Sequence, residues 1–239
     1  MKGLIKYHMQ QYMKTSRFVM PLAVFMIMLY SIYSSRPIGI VESFVSCGQF
    51  LFLIMVWIGI TACDVEDIVS EQILVLRVRS AGKYYLSRTL FLCIVGALFS
   101  AAVLIFAAVR ETLYGGEFFN RPLLFKDFLF GFIILTLCAV CGSSLGELSH
   151  SRIIRRRKNA VIAVFLLAVL AMIKMVFLER FPLSRFLLWV IPPISELSMI
   201  FSGRDYFSLG STVQAAALLA LSAAALNAVK IGILLKNKF

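Results

Sequence analysis

Only 12 aspartates and glutamates and 2 histidines occur in 239 residues, and none of them falls inside the chain's long apolar runs. That scarcity excludes much intramembrane chemistry. Buried acids and histidines are what proton- or sodium-driven carriers use, and a Ser/His pair, an Asp pair or H-E-x-x-H is what intramembrane proteolysis needs. A G-x-x-x-x-G-K-[ST] phosphate loop is also absent, so any ATP that drives this chain is hydrolysed elsewhere. The 5 cysteines lie within or at the edges of apolar runs, and no disulfide framework is expected. Cys138 and Cys141 form a C-x-x-C, but without a second cysteine pair it reads as small polarizable residues packing in a helix. No catalytic residue, metal ligand or cofactor is expected in this chain.

What is abundant is apolar surface. The hydrophobic fraction is 61% and mean hydropathy is +0.91, against roughly 45–50% apolar content in a soluble domain. A hydrocarbon layer about 30 Å thick needs roughly 20 apolar residues per helix. Candidate spans are Phe18 to Tyr33, which is short, then Phe44 to Ala62, Thr89 to Val109, Phe128 to Leu145, Ala160 to Phe177 and Val213 to Leu235. The fold class that follows is an all-α membrane protein with six transmembrane helices, forming a single domain over residues 1–239. Lys174 and Lys230 sit near span ends, where a long side chain snorkels to the interface.

The net charge of +12 is distributed by topology. Sorting the connections by parity groups the N-terminus, the second and fourth loops and the C-terminus. That side holds Lys2, Lys6, Lys14, Arg17, Arg77, Arg79, Lys83, Arg88, Arg152, Arg155 to Lys158, Lys230, Lys236 and Lys238. The positive-inside rule makes it the cytoplasm, in a cell-membrane protein with both termini inside. Anionic lipid, not nucleic acid, is the partner these charges suggest.

The segment before the first span is patterned. Leu4, Ile5, Met9, Tyr12 and Met13 share one helical face, and Lys6, Gln10 and Lys14 share another, so residues 1–16 read as an interfacial amphipathic helix and not a signal sequence. Between spans two and three, residues 64–80 read as a second helix outside the membrane. Acids (Asp64, Glu66, Asp67, Glu71) precede bases (Arg77, Arg79), and Ile68, Gln72 and Leu76 keep helical spacing up to the stop at Ser80-Ala81-Gly82. It is either a solvated connector or a helix that docks a partner, and its apolar content favours docking. The fourth span ends in Gly142-Ser143-Ser144-Leu145-Gly146, a G-x-x-x-G that permits close helix approach. In residues 179–211 the apolar runs are too short to span, and Pro192-Pro193 forbids joining them. Trp189, Pro192, Pro193 and Glu196 therefore belong to a re-entrant extracellular hairpin before the last span.

These features together resemble the transmembrane subunit of type-2 ATP-binding cassette (ABC) exporters, over essentially the whole chain. The most specific stretch is Glu71, Ser80-Ala81-Gly82, Tyr84-Tyr85-Leu86 and Arg88, although the Gly that often follows the Glu and the Pro of the turn are missing. The resemblance implies that residues 64–80 are a coupling helix seated on a separate ABC ATPase subunit, which carries the ATP and Mg. The ATPase-coupling residues would be Asp64, Glu66, Asp67, Ile68, Glu71, Gln72, Leu76, Arg77 and Arg79. It also implies a second permease copy or homologue and export of a hydrophobic or amphipathic cargo, such as an antimicrobial peptide, lipid-like molecule or drug. The alternative is a non-transporting membrane immunity, sensor or assembly protein whose outer helix docks a cytoplasmic partner.

Overall fold

The computed structural model describes residues 1–78, 80–154, 156–180 and 191–236, with the side chains of Ile68 and Glu179 excepted. Arg79 and Trp189 lie outside the described residues. Among the described residues every named element is helical: α1 Lys2–Lys14, α2 Val19–Ile32, α3 Ile40–Cys63, α4 Ile68–Val78, α5 Ala81–Leu113, α6 Phe125–Gly146, α7 Arg157–Arg180, α8 Glu196–Phe201 and α9 Leu209–Lys236, with 3₁₀ turns at Ser16–Phe18 and Glu147–Ser149. Five helices, α3, α5, α6, α7 and α9, are long and apolar enough to cross a membrane. α1 and the segment Ser16–Ile32 meet the same test only as a pair, bent by 75°. α2 has 14 residues, about 21 Å at 1.5 Å per residue, which is short for a 30 Å layer.

α3 and α6 form the centre, each more than half buried, whereas α7 and α9 turn most of their surface outward. The closeness of the central pair rests on glycines. A methyl at Gly142 would collide with the carbonyl oxygen of Phe52, and one at Gly146 with that of Val56. At Gly59 it would stand 2.7 Å from the Ser143 oxygen. The G-x-x-x-G of the fourth span thus marks the closest backbone approach in the core, as small residues do where apolar solvent gives helices no reason to associate. The two C-x-x-C sulfurs face different neighbours: Cys138 packs toward Gly48 of α3, and Cys141 lies 3.3 Å from the Ser222 hydroxyl of α9.

α5 is continuous over 33 residues, about 50 Å. At one end Tyr84 and Tyr85 are buried with Val75 of α4 and Leu234 of α9. At the other, Arg110 donates to the Tyr33 carbonyl at 2.7 Å and lies against Tyr30, Phe106, Tyr114 and Phe118. That end also holds Arg121, which grips Asp127 at 2.7 and 2.8 Å and stacks on Tyr206.

α1 lies across the Tyr84 end with three faces, not two. His8 and Tyr12 are buried against the bundle, Met9 and Met13 are exposed, and Lys6, Gln10 and Lys14 point elsewhere into solvent.

Candidate functional site

The two intramembrane lysines do not snorkel. Lys230 is 1% exposed, and its ammonium donates to Glu147 Oε2 at 2.5 Å, Thr89 Oγ1 at 2.6 Å and Asn227 Oδ1 at 2.8 Å. Lys174 is buried too, 2.8 Å from Glu196 of α8 and donating to the Ile191 carbonyl. Each found an acid inside the fold, and a buried charge that is paired and hydrogen-bonded has no need of the interface.

Glu147 is the hub of the first cluster. It follows Gly146 directly, in the 3₁₀ turn that ends α6. Besides Lys230 of α9, it takes Arg88 Nε of α5 at 3.7 Å and the Thr89 hydroxyl at 3.3 Å. Asn227 extends the network by donating to Ser144 of α6 at 2.7 Å. One carboxylate therefore joins three membrane-length helices at the same level.

A second carboxylate joins α4 to this turn. Glu71 is 3% exposed. It accepts from the Tyr85 hydroxyl at 2.9 Å and lies 3.4 Å from His150 Nε2 and 3.7 Å from Arg152. Arg152 also donates to Tyr85 at 2.9 Å. Burial alone would raise the Glu71 carboxyl, but the hydrogen bonds and charges of its neighbours, His150 foremost, hold it below its ordinary value of 4.5. A depressed carboxyl adds stability above that ordinary value and loses it as pH falls through the lower folded one. A spin label at position 73 should therefore gain mobility as pH drops below 4.5, whereas in Glu71→Gln the pH dependence should vanish. A label equally immobile throughout the acid range would overturn this role for Glu71.

The third carboxylate, Glu66, accepts from Tyr7 of α1 at 3.1 Å and from the Tyr84 hydroxyl. Adjacent tyrosines at the start of α5 thus each hold an acid from the preceding segment, Tyr84 taking Glu66 and Tyr85 taking Glu71.

The nine residues singled out from residues 64–80 are divided by the fold. Asp64 caps α3 and pairs with Arg157 at 2.6 Å. Glu66 and Glu71 face inward, Gln72 is half-buried, and Asp67, Leu76 and Arg77 are exposed. Glu71 is not part of an outward docking face, because its charge is taken up inside the chain. The outward face of α4 is instead Val69, Ile73 and Leu76, which are 65%, 60% and 72% exposed. Pro192 and Pro193 are buried, and Glu196 is the acid that holds Lys174.

The sequence alone assigns no partner to Glu147, His150 or Lys230. The available signals were a lone acid amid the bases of that connection and Asn227-x-x-Lys230 on one face of an otherwise Ala-rich helix. Among the described residues no group of His, Cys, Asp and Glu could hold a metal ion. No family model, curated protein or solved structure matches the chain.

Proposed function

We propose that the chain is the membrane subunit of a type-2 ABC exporter, with six spans counting α2 and with α4 as its coupling helix on a separate ATPase subunit. The supporting observation is α4 itself. It is a helix outside the five long apolar ones, it keeps an apolar stripe uncovered, and its opposite face is fixed to the bundle by Glu71. An amphipathic helix ordinarily buries its apolar stripe; α4 buries Val75 beside Glu71 and turns a second apolar stripe outward, which argues for a protein that covers Val69, Ile73 and Leu76. Two copies, or this chain and a homologue, would flank the pathway in the cell membrane with both termini cytoplasmic. Closure of the ATPase pair around ATP and Mg would push α4, and the push would reach α5, the Glu147 turn and α9 through Glu71 and its neighbours. The cargo is hydrophobic or amphipathic.

The test is whether an ABC ATPase is encoded beside this chain and co-purifies with it on co-expression. Leu76→Asp puts a charge into the covered stripe and should weaken co-purification by about a hundredfold, as for a central contact residue, while the chain's own thermal stability is unchanged. Undiminished complex with Leu76→Asp and Ile73→Asp, or no complex with the wild-type chain, would refute the coupling role.

A further inference from the structure

Between α1, the end of α3 and the start of α5 lies a cavity of about 20 Å³ lined by His8, Gln11, Tyr12, Glu66, Arg88 and Phe91 among others. Two buried nitrogens on its lining residues, His8 Nε2 and Arg88 Nη2, have no hydrogen-bond partner among the described residues. Both residues are more than nine-tenths buried, and an unmet donor at that depth carries a desolvation cost. The guanidinium approaches Glu147 through Nε, 3.7 Å from Oε1, which leaves Nη2 unspent. The cavity adjoins an open groove of about 320 Å³ along Gln11 and Val65, whose other walls are Tyr7, Gln10, Lys14 and Thr15.

We infer that this cleft binds the phosphate of a membrane lipid headgroup, one phosphoryl oxygen entering the cavity onto Arg88 and His8 and the rest of the headgroup lying in the groove. A space of about 20 Å³ holds one water or one phosphoryl oxygen and nothing larger. The groove supplies the polar side chains that a headgroup needs. Burial, then the charge of Arg88, push His8 down to about 4, so near neutrality the ring can offer Nε2–H without adding a charge beside Arg88. Glu66 also lines the cavity, but its two oxygens are engaged by Tyr7 and Tyr84, and the cations Arg88 and Lys14 outnumber it. The exposed Met9 and Met13 give α1 an apolar face for the bilayer surface, which sets the groove at headgroup depth.

The purified chain in a non-ionic detergent would be titrated with dihexanoyl phosphatidylglycerol, dihexanoyl phosphatidylcholine, dihexanoylglycerol and inorganic phosphate, reading thermal stability. Both phospholipids should stabilise, the phosphate-free diacylglycerol should not, and His8→Phe and Gln11→Leu should weaken the half-saturating phospholipid concentration by about tenfold. Stabilisation by inorganic phosphate at matching concentrations, with the same sensitivity to the variants, would overturn the lipid source and leave a free phosphate site. No stabilisation, or an equal response to dihexanoylglycerol, would mean that the cavity holds water, and the inference fails. Should His8→Phe fold poorly, Gln11→Leu and Lys14→Gln, both on the groove wall, decide between these results.

Discussion

Glu147→Ala should be the most damaging single substitution in the chain, costing about 3–5 kcal/mol, because it leaves buried cations with no counter-charge. Lys230 and Arg88 are 1% and 4% exposed, and both approach this one carboxylate. Lys230→Met should cost less. Glu147 would then keep Arg88 at 3.7 Å and the Thr89 hydroxyl, and the methionine would refill most of the lysine stem's volume. The ordering is the discriminating observation: yield of monodisperse protein and apparent melting temperature in mild detergent should fall in the sequence wild type, Lys230→Met, Glu147→Ala. Both unchanged would show that the cluster is solvated and not a buried junction, and Lys230→Met worse than Glu147→Ala would show that Glu147 is not the hub of the charges.

The second large effect is steric. Gly142→Leu or Gly146→Leu should prevent α3 and α6 from closing, since the obstacle in each case is a backbone carbonyl, of Phe52 or Val56, that no rotamer change removes. Overpacking in a well-packed core typically costs about 1–3 kcal/mol, and a full leucine against main chain belongs at or above the upper end. Gly232→Leu is the control, because no described residue lies within 4 Å of a Cβ there. Loss of folded protein in the first two and normal behaviour in the third is the expected pattern. Equal tolerance of all three would mean that the central pair is not held by its glycines.

How much of this could be read from residues alone depended on whether the cause was local. The apolar runs that became α3, α5, α6, α7 and α9 were legible because a membrane imposes a length and a polarity on each helix separately. The outer helix was legible too, although α4 begins at Ile68 and not at Asp64, which instead ends α3 and pairs with Arg157. Its orientation was not legible. Helical spacing puts Val69, Ile73 and Leu76 on one stripe and Glu71 with Leu74, Val75 and Val78 on the other, so both faces carry apolar residues and periodicity alone does not choose between them. The second face is the buried one because His150, Arg152 and Tyr85 wait for Glu71 inside. Those residues come from distant positions, as does Glu147 for Lys230, so no window of sequence could have shown the pairing. The lysines were misread for the same reason: snorkelling is the outcome for a charge with no partner in reach, and each had one.

The unbroken length of α5 has a mechanical consequence. Tyr85, which holds Glu71 of α4, and Arg110, set in its ring of aromatics, are about 38 Å apart on one rod. A tilt of roughly 10° carries one end past the other by about 7 Å over that length. Under the coupling role proposed for α4, α5 would be a lever, and a displacement applied at α4 would arrive at the opposite end of the bundle as rigid-body motion. No chain of side-chain rearrangements through the membrane is needed to deliver it.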